Sequence, residues 1–141
     1  MPLVSERIAI ADARREIPAA LDRFEGRCRA AGFAEPTVLE LRVIAEEVLT
    51  NIAKYGYEPG ERPAVEMSFS FSGDGAIVEF RDQGRPFDPL AEPGPDLDAP
   101  VEQRAVGGLG LTLVRALVEE VQYVRDGPTN VLRIVKRRAA P

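Results

Sequence analysis

Apolar and polar positions alternate with two different periods along this chain, and the changes of period mark its elements. Arg7 to Ala11 alternates residue by residue and predicts a short strand. Asp12 then caps a helix over Ala13 to Ala31, with Leu21, Phe24 and Cys28 as its apolar stripe and Gly32 as its stop. Pro18 sits near the first turns and marks either a kink or a later start. Glu35-Pro36 opens a second, longer helix, because Pro36 falls at an early position that needs no N–H. Leu41, Ile44, Ala45, Val48 and Ile52 fall on one broad arc of that helix, a face built for burial, and Gly56 ends it. A loop follows at Pro59-Gly60 to Pro63. Val65 to Ser72 alternates cleanly, Gly73-Asp74-Gly75 is a hairpin turn, and Ala76 to Arg81 returns as the partner strand. Leu111 to Glu120 reads as a third helix. Val121 to Arg125 and Val131 to Lys136 close the chain as strands around Asp126-Gly127-Pro128. The order β-α-α-β-β-α-β-β implies an α+β, two-layer sandwich: a mixed, mostly antiparallel sheet with helices on one face.

Composition narrows the chemistry. A chain of 141 residues with 45% apolar content holds one domain with a core of its own, over residues 1–141. The formal charge of −5 argues against direct nucleic-acid binding, which needs clustered cations. The chain contains no histidine and a single cysteine, Cys28, which excludes a typical zinc site, a disulfide framework and histidine-based acid–base chemistry. No run is apolar enough to span a bilayer, and the first residues lack a signal-peptide layout, so a cytoplasmic location with no membrane partner is expected.

Three polar clusters stand where elements end or turn. Glu47 and Asn51, four apart, stack on the border of the buried arc in one row with Glu40 and Lys54. They can converge on one ligand, or they form a solvated edge. Asp82-Gln83-Gly84-Arg85-Pro86-Phe87-Asp88-Pro89 follows a strand directly. Asp82 is a loop cap or an acceptor, and Gly84 lets a flat ligand approach the backbone closely. Gly107-Gly108-Leu109-Gly110 precedes the third helix, where exposed N–H groups and the helix dipole suit phosphate, unless the glycines serve only as a hinge. Between the last two clusters, Gly84 to Val106 is rich in proline and acidic residues, the composition of a lid or a disordered loop.

Taken in order, the EEVLTN, DQGRPFDP and GGLGLTLV stretches resemble the N-box and the two glycine boxes of the GHKL superfamily of histidine-kinase-like ATPases. The similarity is strongest to its anti-sigma-factor serine/threonine protein kinases and covers about Leu39 to Lys136. The resemblance implies the Bergerat fold, with ATP and Mg²⁺ as cofactors. It implies that Asn51 ligates the Mg²⁺ bridging the phosphates, and that Glu47 is the catalytic base for an attacking serine hydroxyl. Asp82 would accept the adenine amine, Gly84 would give the base room, and Asn130 would reach the adenine side. Gly108, Leu109 and Gly110 would donate backbone N–H groups to phosphates, under an ATP lid at about 84–106 that gains order when Mg-ATP binds. Implied partners are an anti-anti-sigma (STAS-type) protein as substrate and a sigma factor as captive; a homodimer is among the open oligomeric states. The chain departs from the family pattern at Tyr55, at Pro86 and at Val106, with Arg104 two residues from the expected arginine. Autophosphorylation on histidine is excluded, since there is none. The competing reading is a non-catalytic ATP/ADP-binding switch that regulates a protein partner, with a structural domain behind it.

Overall fold

The computed structural model describes residues 4–86 and 108–138. The elements run β1 (Val4–Ile10), α1 (Ala13–Ala30), α2 (Glu35–Tyr55), β2 (Val65–Phe71), β3 (Gly75–Asp82), α3 (Gly108–Leu117), β4 (Glu120–Asp126) and β5 (Thr129–Arg137). The five strands form one sheet in the order β1-β2-β3-β5-β4, with each of the four pairings antiparallel. The α+β two-layer sandwich expected from the sequence is thus the fold, and the sheet's described strands contain no parallel pair.

One face of the sheet carries the core. Ile8 and Ile10, Met67, Phe69 and Phe71, Val78 and Phe80, and Leu132 and Ile134 alternate inward and are buried. They meet Leu21, Phe24 and Cys28 from α1 and Leu41, Ile44, Ala45 and Val48 from α2. Ile52 is only partly buried, because the arc turns toward the helix edge there. Phe24 packs edge-on to Phe69 at 5.0 Å between ring centroids, and Phe33 edge-on to Phe71 at 5.4 Å. The opposite face is polar: Arg7, Ser68, Glu79, Arg133 and Gln122 lie side by side across the sheet by register.

Local chemistry sets the boundaries. Asp12 caps α1 by accepting from the Arg14 N–H at 3.1 Å, and the Asp12 N–H donates to Glu16 at 2.6 Å. The helix runs unbroken from Ala13, so Pro18 delays nothing. Just past its end Gly32 takes φ 86°, the left-handed geometry that glycine adopts without strain. β1 reaches back to Val4, because Val4 already pairs with Phe71. α3 ends at Leu117, three residues short of the expected Glu120. The Glu119 N–H there donates to the Val135 carbonyl, so the chain has already joined the sheet. Lys136, on the inward face of β5, closes this corner: its ammonium donates to the Leu117 carbonyl at 2.5 Å and pairs with Glu40 of α2 at 2.8 Å.

Candidate functional site

The site is built where α2 ends against the turn after β3. Asp82 is the last residue of β3, 5% exposed, and faces Asn130 of β5 directly across the sheet. The turn that follows is fastened to the C-terminus of α2. The Arg85 N–H donates to the Gly56 carbonyl at 3.1 Å, and its guanidinium Nε donates to the Tyr55 carbonyl. A cation on those last carbonyls also suits the negative end of the helix dipole. Gly84 is required by this closeness: a Cβ there would stand 2.6 Å from the Gly56 carbonyl oxygen and 2.9 Å from Asp82 Oδ1. Its missing side chain therefore makes room for the end of α2, for the Asp82 carboxylate and for the Tyr57 ring.

Hydrogen bonds hold the Asp82 carboxylate at one oxygen. Oδ1 accepts from the Gly84 N–H at 2.9 Å and from Asn130 Nδ2 at 3.2 Å. Asn130 Nδ2 also donates to the Arg85 carbonyl at 3.0 Å, while its Oδ1 accepts from Tyr123 Oη at 2.5 Å and Arg125 Nη1 at 3.0 Å. Arg125 Nη1 reaches the Gly84 carbonyl as well, at 2.9 Å. Tyr57 closes the other side, accepting from the Gln83 N–H and donating to the Ala64 carbonyl. Burial first, and then the Asp82 charge, push its phenol above the ordinary tyrosine range. Arg14 of α1 pins the loop beneath by donating to the carbonyls of Glu58, Pro59 and Glu61.

One turn before this end of α2 lies Asn51, and one turn further back Glu47. Asn51 is 5% exposed, and its Nδ2 has no hydrogen-bond partner among the described residues. A buried amide N–H left unmatched costs about 1–3 kcal/mol, which a hydrogen-bond acceptor outside the chain would recover. Glu47 is half-buried at the border of the core arc. Glu40, expected in the same row, turns instead to Lys136, and Lys54 is exposed. Among the described residues no group of three or more acidic, cysteine or histidine side chains could cage a metal. Mg²⁺ needs no cage when phosphates and waters fill most of its octahedron, and one protein oxygen from Asn51 fits that demand.

The third cluster is seen in part. Gly108, Leu109 and Gly110 form the first turn of α3, which packs on α2. Backbone N–H groups of a first helical turn have no partners within the helix. Gly107, Asp88 and most of the expected lid, 87–106, lie outside the described residues. Sequence reasoning named Asp82, Gly84, Asn51 and Asn130 but gave no role to Tyr57, Arg85, Tyr123 or Arg125. Tyr123 and Arg125 occupy alternate, inward positions of β4, and that alternation was the available signal.

An α/β sandwich with a buried carboxylate at the end of β3 and a buried asparagine on the facing helix defines a class, and comparison with known proteins gives it a family. Residues 10–136 match the histidine kinase-like ATPase domain, and the chain belongs to that family. It is 30% identical over 101 residues to the serine-protein kinase RsbW of Oceanobacillus iheyensis, across 69% of this chain and 64% of that protein. It is thus similar to less than two thirds of that relative's length. With RsbW of Listeria monocytogenes the identity is 28% over 111 residues, spanning 76% of this chain and 71% of the relative. The serine/threonine-protein kinase BtrW of Bordetella bronchiseptica is 26% identical over 99 residues, 70% of each chain. Among solved structures, the RsbU and RsbW domains of a Mycobacterium tuberculosis protein superpose with a TM-score of 0.66 at 14% identity, over 96% of this chain and 33% of that one. An Acinetobacter baumannii histidine kinase gives 0.52 at 16% identity, over 99% and 70%. These two share the fold. No helix among the described residues is long and apolar enough to cross a membrane.

Proposed function

We propose that this chain is an ATP-dependent serine/threonine protein kinase that phosphorylates an anti-anti-sigma (STAS-type) protein and otherwise holds a sigma factor. The observation that carries the reading is the placement of Glu47 one turn from the buried Asn51, on a helix whose far end is fastened to the Asp82 turn. Binding alone asks for Asp82 and Asn51; a carboxylate beside them adds a base. Asp82 accepts the exocyclic amine of adenine, and the first turn of α3 offers N–H groups to the phosphates. Asn51 would hold Mg²⁺, which would supply neutralisation of the phosphate charge. Glu47 takes the proton from the incoming serine hydroxyl as that oxygen attacks the terminal phosphorus, and ADP leaves. The similarity to proteins named as the serine-protein kinase RsbW and the serine/threonine-protein kinase BtrW supports the kinase assignment.

The test is transfer of label from γ-labelled ATP to STAS-type proteins encoded nearby. Glu47→Gln keeps the shape of the side chain, so nucleotide affinity should hold while transfer falls roughly 10²–10⁴-fold. Asn51→Ala should weaken Mg²⁺-dependent binding itself. A Glu47→Gln protein that still phosphorylates a verified substrate at the parental rate would remove Glu47 from the chemistry. ATP binding without transfer to any partner would favour the non-catalytic switch.

A further inference from the structure

We propose that Leu39 and Val43, on the open face of α2, dock the serine-bearing protein substrate; the assignment rests on the reading of Glu47 as the base. Leu39, Val43, Glu47 and Asn51 stand four apart and form one row along α2. A helix turns about 100° per residue, so each step of four carries the row about 40° around the axis. Exposure falls accordingly, from 50% at Leu39 and 36% at Val43 to the half-buried Glu47 and the buried Asn51. The row thus leads from open surface into the site. The core does not need its first two members, since Leu41, Ile44, Ala45 and Val48 supply the buried arc of the same helix. A single exposed apolar side chain is ordinary on a protein surface. Two in succession, on the row that ends at the base, are a surface kept for a partner.

The charges flanking the stripe are already engaged within the chain. Glu40 pairs with Lys136 at 2.8 Å on the side of α3, and Arg42 pairs with Asp22 of α1 at 2.9 Å. Between them Leu39 and Val43 offer apolar contact. Distance then selects the occupant. At 1.5 Å of rise per residue, Val43 lies about 6 Å from Glu47 along the axis and Leu39 about 12 Å. A serine hydroxyl within hydrogen-bond reach of the Glu47 carboxylate brings its own protein over this part of α2. On the same reading the nucleotide lies at the other end of the row, by Asn51 and the Asp82 turn, so the stripe is left to the second substrate. That substrate carries apolar side chains about 6–12 Å from its phosphoacceptor hydroxyl, facing Val43 and Leu39.

Steady-state transfer from Mg-ATP to a STAS-type protein that the full chain phosphorylates tests this. Leu39→Gln with Val43→Gln puts helix-favouring polar side chains at two exposed positions, so the fold stands. The Michaelis constant for the protein substrate should rise roughly tenfold, the effect of losing the part-burial of two apolar side chains. The kcat and the calorimetric Mg-ATP affinity should hold. Ile77→Gln removes a comparably exposed side chain, 37%, from the opposite face of the sheet and should change none of the three. An active parent whose double variant keeps its Michaelis constant overturns the docking role and leaves Glu47 its own. A parent that transfers to no STAS-type protein overturns the kinase reading and this inference with it. Loss of self-association in sedimentation, or of sigma-factor capture, at an unchanged Michaelis constant gives the stripe to another occupant and overturns the proposal likewise. In the parent, the methyl resonances of Leu39 and Val43 should shift when the protein substrate is added with Mg-ADP; methyls that stay unmoved overturn the contact whatever the variants do.

Discussion

At Asp82 the carboxylate meets two protein N–H donors on one oxygen. Asp82→Asn replaces a charged acceptor with a neutral amide that can also turn its donors outward. The loss in ATP affinity should be about 1.5–3 kcal/mol, read by calorimetry, with GTP gaining relative to ATP. Unchanged affinity would mean that the base is held elsewhere. Asp82 and Gly84 were legible in the sequence because they follow a strand and stand two residues apart. The meaning of Gly84 was legible only in part. Its closest neighbour is Gly56, 28 positions away along the chain (84 − 56), and local pattern does not reveal which backbone will lie opposite. Arg125 was hidden for the same reason. The alternation along β4 sets Arg125 on the inward side, but only the register Arg125↔Asn130↔Asp82 shows what it meets there.

Among the elements, α2 was the most legible, since a long helix with a wide apolar arc leaves little choice. The end of α3 was less so. Val118, Glu119 and Glu120 continue a helical pattern, but the sheet takes the chain over at Glu119. Lys136 marks that decision. It is 12% exposed, and in one place it caps α3 and ties α2 through Glu40. Lys136→Met keeps the stem and removes both bonds. Because Glu40 is 39% exposed and can regain water, the cost should be modest, about 1–2 kcal/mol in urea unfolding. The double variant with Glu40→Gln should cost less than the sum of the singles; strict additivity would show that the two side chains do not interact.

For the molecule as a whole, Cys28 reports on integrity. It is fully buried among the core residues, and burial pushes its thiol up to about 12. In the unfolded chain the thiol ionises near its ordinary value of 9.0. Between those values the unfolded state has lost the proton that the folded state keeps, so stability falls as pH rises, and the contribution is whole only below the lower value. The slope should reach about 1.4 kcal/mol per pH unit, and Cys28→Ser or Cys28→Ala should abolish that part of it in melts at alkaline pH. A thiol reagent at neutral pH should label Cys28 only as fast as the fold opens.

The seam between β3 and β5 has a thermodynamic consequence. Residues up to Asp82 supply β1, β2 and β3; residues from Glu120 supply β4 and β5, and Asp82–Asn130 is where the two halves of the chain meet. The Asp82–Asn130 end exists only when the two halves are joined. Nucleotide that binds the joined form alone adds its linkage free energy to that seam, about 2.7 kcal/mol at a hundred times its dissociation constant. ATP concentration would then govern how tightly the C-terminal half of this protein is kept.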